Sequence, residues 1–163
     1  MVFGSSAKGL QASIASEYGI ELSLQEAEKF RNAFFAEYAG VQRWHDSQIQ
    51  ATVVESPGGR KWWNLPKPGS ANSKWRGRIN YPIQAAEAEG VKEALILLLP
   101  KLDRHPEWKL VNAVHDELVM EVPDNDVDDA RKALVSCMKM GMQKIITTVR
   151  IEVDVTIADC WAK

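Results

Sequence analysis

LVNAVHDELVMEVP, residues 110–123, sets two apolar runs around three consecutive ionisable side chains. Residues 108–114 and 118–122 are rich in Val and Leu and read as paired strands. His115-Asp116-Glu117 falls between them. The tripeptide has two readings. Asp is common in plain turns, because its short side chain bonds local backbone. Alternatively, Asp116 projects from a rigid hairpin to hold a divalent cation. Hard ions such as Mg2+ take carboxylate oxygens and keep positions open for substrate phosphates. On that reading His115 binds a phosphate or orients a neighbour. The tripeptide alone leaves both open.

Outward from the hairpin, charge is segregated. Residues 56–86 contain no Asp or Glu but six bases: Arg60, Lys61, Lys67, Lys74, Arg76 and Arg78. Acids concentrate after Glu87. The split points to an anionic partner along the middle segment. Within it, RGRINYPIQ spaces Arg76, Asn80 and Gln84 by four. If a helix begins as early as Arg76, they share one face. Such a row of donors and acceptors suits phosphates and base edges, and also suits an ordinary solvated face. Pro82 is expected in the first turn of a helix running to about Leu99, and Pro100 is expected to end it.

The remaining pattern is helix-rich at the start. A helix is expected over 5–18. Ser23 to Glu26 is a capping box opening a second helix to about Tyr38. Ala39-Gly40 is read as its stop, with a third helix over 41–52. ESPGGRKWWNLPKPGSANSKWRGR reads as a turn at Pro57-Gly58-Gly59, a short hairpin and a loop. Trp62 and Trp63 are expected to pack, with base stacking as the alternative. Asp124 is read as the cap of a helix to about Lys144. VRIEVDVTI, residues 149–157, alternates apolar and polar residues and reads as a half-exposed antiparallel strand. The expected fold class is α+β, a small antiparallel sheet backed by helices with a helical N-terminal part. Three regions are expected: 1–55, 56–78 and 79–163.

The 163 residues, 45% hydrophobic and 26% charged, suffice for one domain with a core. The longest apolar run, Ala94 to Leu99, is far short of the roughly 18 residues of a membrane span. The N-terminus lacks the pattern of a secretory signal. Cys137 and Cys160 lie in different predicted elements and form no disulfide framework or metal cluster. A reducing cytoplasm is the expected location.

In combination the motifs are more specific. The order R-x-x-x-N-x-P-x-Q, an Ala-rich helix with KEAL, then VHDE and EVP, resembles family A DNA polymerases of the bacterial DNA polymerase I type. FGSSAKGLQASIASEYGI resembles the stretch after that family's nucleotide-binding fingers helix, and TIADCWAK its closing segment. The resemblance implies that 1–55 are the C-terminal part of the fingers, 56–78 a basic hairpin and loop, and 79–163 part of the palm. It implies that Asp116 is the second of two metal-binding aspartates, Glu117 a supporting carboxylate and His115 the histidine near the primer 3′ end. Arg76, Asn80 and Gln84 match residues that contact template–primer DNA, largely through the minor groove. Arg60, Lys61, Lys74 and Arg78 would track phosphates.

The resemblance is also incomplete. The family clamps two Mg2+ ions roughly 4 Å apart between carboxylates from two motifs. Nothing here resembles the other motif, D-Y-S-x-[IL]-E-x-R. The fingers Arg and Lys that bind the incoming dNTP would precede Met1, and Phe3 would stand where the family carries Tyr. QAAEAE departs from Q-G-T-A-A-D, with Glu89 at the Asp position. The chain is therefore expected to be one piece of a split polymerase, sharing its two Mg2+ ions with a partner chain. An excised fragment and a degenerate remnant remain the alternatives. A different class is a non-catalytic DNA-binding or scaffold protein. A metal nuclease using His115-Asp116-Glu117 alone is disfavoured, because one turn supplies too few ligands.

Overall fold

A computed structural model describes residues 4–70 and 74–161. The order of elements is α1 (Ala7–Tyr18), α2 (Leu24–Glu37), α3 (Ala39–Gln50), β1 (Val54–Glu55), β2 (Lys61–Trp62), α4 (Trp75–Leu102), β3 (Lys109–Val114), β4 (Glu117–Glu121) and α5 (Val127–Ile145). A 3-10 turn, Asp124–Asp126, leads into α5. The fold is α+β, with two small antiparallel sheets, β1–β2 and β3–β4, among helices.

The chain forms two compact units. One comprises Met1–Val54 and Lys61–Pro82, the other Glu55–Arg60 and Ile83–Lys163. In the first, Ser23 and Glu26 close the expected capping box: Ser23 Oγ accepts from Glu26 N–H, and Glu26 accepts from Ser23 N–H at 2.8 Å. Ala39-Gly40 does not interrupt the helices. Tyr38 alone leaves helical geometry, and α3 restarts at Ala39. Gly40 is not among the positive-φ glycines, so it does not provide a left-handed stop. Ala27 and Ile79 are buried, whereas Phe30 and Tyr38 of the predicted α2 stripe are exposed.

α4 starts earlier than expected and runs through Pro82 and Pro100. Each proline removes one helical donor, a cost of about 3 kcal/mol in an interior. Burial of Ile79, Ala85, Ala86, Ala94 and Leu98 along the same helix offsets it.

In the second unit, α4 and α5 approach backbone to backbone. A Cβ on Gly141 would lie 2.7 Å from Ala94 Cα and 2.8 Å from the Gly90 carbonyl, so only glycine fits. Lys144 Nζ pairs with Glu93 at 2.7 Å across the same contact. The cap position of α5 is Asp126 rather than Asp124, and its side chain makes no capping bond. Instead Asp126 accepts from the buried Trp108 indole at 2.9 Å. Residues 149–157 form no strand, contrary to the alternating pattern. They are held to α5 by side chains: Gln143 donates to the Val149 carbonyl, and Lys139 pairs with Glu152 at 2.7 Å.

Candidate functional site

β3 and β4 pair in register Lys109↔Glu121, Leu110↔Met120, Asn112↔Val119, Ala113↔Leu118 and Val114↔Glu117. Val111 is therefore an extra residue, a bulge of the kind that re-aims a strand. The loop is two residues long, His115 and Asp116. His115 has φ 53, the left-handed sign that such loops require of their first residue. Glycine or asparagine is the usual occupant, because a larger L-residue is strained there. Placing His at this position puts both His115 and Asp116 in solvent at the tip. Glu117 is half-buried and accepts a hydrogen bond from the Trp161 indole at 2.7 Å. The three adjacent groups thus have different roles. Two are presented outward, and one ties the hairpin to the C-terminal segment.

Asp116 fits Mg2+ as one hard oxygen ligand on a fixed backbone. It does not make a complete site. Among the described residues, the one cluster with metal-ligand spacing is His105, Glu107 and Asp126, and it does not include Asp116. Its members already have partners. His105 Nδ1 lies 3.4 Å from Glu107 and its ring stacks on Trp108 at 3.9 Å, while Asp126 takes the Trp108 N–H.

Because α4 begins at Trp75, Arg76, Asn80 and Gln84 do share one helical face. Arg76 and Gln84 are exposed and Asn80 is half-buried. Lys61 and Lys74 are exposed as well. Arg78 differs from the expectation of a phosphate contact. It is fully buried, and its guanidinium donates to the carbonyls of Ala51 and Pro66. Two carbonyls of the preceding segments replace water around that cation, which is how a buried charge is tolerated. Phe3 lies outside the described residues.

Trp63 also departs from the packing reading, being 60% exposed. Trp62 is partly covered, with its ring 5.5 Å from that of Tyr81.

Arg60 is only half exposed and its Nε lies 3.4 Å from Glu89. Glu89 was visible in the sequence as a departure from the family pattern but not as an anchor. Ser56 Oγ donates to Glu89 at 2.7 Å and accepts from Arg60 N–H at 2.9 Å. A Cβ on Gly58 would lie 2.8 Å from the Glu89 carboxyl carbon. One carboxylate therefore fixes the Pro57-Gly58-Gly59 turn, and the longer Glu side chain gives it that reach. The sequence signal was the pairing of an unusual Glu with a Ser-Pro-Gly-Gly turn.

Comparison with known proteins agrees with the motifs. The family model for DNA polymerase family A matches residues 1–163. DNA polymerase I of Aquifex aeolicus is 33% identical over all of this chain, which spans 28% of that protein. DNA polymerase I of Rhizobium leguminosarum is 31% identical over 99% of the chain, which spans 16% of it. Among solved structures, the POL domain of Pol1 from M. smegmatis, in complex with DNA primer-template and dNTP, has TM-score 0.72 at 23% identity. It covers 86% of this chain, which spans 25% of the domain's chain, and the likeness concerns the fold. With its whole length matched and its hairpin and helix motifs in family order, the chain belongs to DNA polymerase family A.

Proposed function

We propose that this chain supplies one catalytic aspartate and the template–primer contacts of a template-dependent DNA polymerase. It works with a partner carrying the other aspartate and the fingers Arg and Lys. The observation that carries this reading is Asp116, solvent-exposed at a two-residue hairpin tip beside a strained His115. Strain of this kind at an exposed turn favours function over folding. Its support is the family membership.

Asp116 would hold one side of the Mg2+ pair, which when bound neutralises charge on the triphosphate and aligns the reacting oxygens. Glu117, fixed by Trp161, holds the hairpin that aims Asp116. His115 stands beside the primer end, where an imidazole donates to phosphate. Arg76, Asn80 and Gln84 run along α4 as minor-groove and backbone contacts, with Lys61, Lys74 and the remaining donors of Arg60 on phosphates. The regions 1–55, 56–78 and 79–163 are, on this reading, fingers, basic loop and palm.

The second reading is a non-catalytic DNA-binding remnant. It is served by the exposed Lys61, Lys74 and Arg76, which need no Asp116 to bind DNA. Asp116→Ala separates the two. In a mixture with the complementary portion of a family A polymerase, the polymerase reading expects Mg2+-dependent primer extension to fall by at least on the order of 10²–10³-fold. Template–primer affinity should change little. Unchanged extension by the variant would favour the remnant.

A further inference from the structure

Two short segments flank the foot of the β3–β4 hairpin. His105-Pro106-Glu107-Trp108 leads into β3, and Asp124–Asp126 follows β4. Backbone bonds fix both. His105 N–H donates to the Lys101 and Leu102 carbonyls, Trp108 N–H to the His105 carbonyl, and Asp126 N–H to the Pro123 carbonyl. The buried Trp108 joins the two segments. Its ring lies parallel to that of His105, with 9° between the planes, and its indole N–H donates to Asp126 Oδ2.

His105, Glu107 and Asp126 each offer a metal-ligand atom, all within 4.8 Å of one another. His105 Nδ1 and Glu107 Oε1 stand 3.4 Å apart. A charge-assisted hydrogen bond closes to about 2.7–2.9 Å, and this pair does not. Two ligands about 2.1 Å from one zinc ion stand roughly 3.4 Å apart in a tetrahedron. The spacing is long for a direct bond and right for two ligands of one ion. Asp126 gives Oδ2 to the indole, which leaves Oδ1 for an ion. A ligating carboxylate steadied by an outer hydrogen-bond donor is the usual arrangement at metal sites.

We propose that His105, Glu107 and Asp126 bind one divalent transition ion of the Zn2+ class, which closes the base of the β3–β4 hairpin. An imidazole nitrogen with two carboxylates suits that class, whereas Mg2+ and Ca2+ take oxygen ligands. Water completes the coordination. The ligands bracket the hairpin in sequence, so the ion shuts the loop that presents His115 and Asp116. A two-stranded hairpin is marginal in water, and metal affinity at its foot adds to the stability of the folded form. This ion is structural, separate from the Mg2+ pair assigned to Asp116, and does not rest on the polymerase reading.

The test uses the full chain, stripped with EDTA and titrated with Zn2+ while Mg2+ is held in excess. Calorimetry should count one ion per chain, and saturation should raise Tm by about 5 °C. In imidazole 15N NMR, the His105 ring, marked by the ring current of Trp108, should shift at Nδ1. Asp126→Asn keeps an oxygen for the indole N–H and loses the ligand charge. It and His105→Gln should each weaken Zn2+ binding by at least about 10-fold. Binding that is lost in Asp116→Ala and kept in Asp126→Asn would assign the ion to the hairpin tip and overturn the proposal. Absence of binding in excess Mg2+, or a His105 resonance unmoved at saturation, also overturns it. The NMR titration needs no substitution, so it decides the matter even if a variant does not fold. None of these outcomes measures primer extension, so the polymerase reading is tested separately.

Discussion

In the β3–β4 hairpin, nearly every residue finds a ladder partner across a two-residue turn. In residues 149–157, an alternation of Val and Ile with polar residues finds none, and Val149 and Ile157 stand more than half exposed. Both segments have strand composition. The hairpin partner is close in sequence, so little loop entropy opposes pairing. The later segment is tied to α5 by side chains, through Lys139–Glu152 and Gln143. Alternation makes a residue ready for a sheet, and a neighbouring strand makes the sheet. A lone two-stranded hairpin is itself marginal in water, so the buried Leu118 and Trp108 carry much of what holds this one.

The comparison can be broken most directly by truncating one apolar residue in each segment. Leu118→Ala should cost the chain about 2–5 kcal/mol in urea unfolding. Ile157→Ala should cost no more than about 0.5 kcal/mol. Comparable losses would mean that 149–157 is as integral as the hairpin. A smaller effect is expected at the turn. His115→Asn relieves a left-handed strain that asparagine tolerates, and should stabilise by about 0.5–1 kcal/mol. It should also impair primer extension by the reconstituted pair. A neutral result in both measurements would return His115 to the status of an ordinary turn residue.

The smallest effect concerns Glu152. A hydrogen bond from Lys139 holds its carboxyl below the ordinary glutamate range, with the Arg150 and Lys139 charges adding to it. A carboxylate depressed in the folded state contributes above its unfolded pKa and loses that contribution as pH falls through its folded value. Stability lent by this tether should therefore fade only on acidification. Carboxyl-carbon NMR should show the Glu152 midpoint rising towards an ordinary glutamate in Lys139→Gln. An unchanged midpoint would remove the tether from the account.

Features whose partners lie within a few residues could be read from sequence. Ser23 and Glu26 satisfy each other across one turn, and His115-Asp116 closes a hairpin between matched strands. Features set by distant packing could not. Pro82 and Pro100 look like punctuation locally, yet burial along a 28-residue helix outweighs two missing donors. Arg78 sits in a basic run and looks like a phosphate ligand, but two carbonyls far off in sequence hold it inside. Trp63 looked like core and is exposed, because packing depends on what else reaches that side of the strand. At the candidate site, the placing of Asp116 at the tip of a hairpin was legible. Glu89 as the anchor of the Gly58 turn was not, since its partners Ser56 and Arg60 lie about thirty residues upstream.

The central claim is that this chain carries one part of a polymerase site that needs the other to act. Primer extension tests it directly, with the purified chain alone, the complementary family A portion alone, and the two mixed, each with Mg2+ and dNTPs. The account predicts extension only in the mixture. Extension by this chain alone would contradict it.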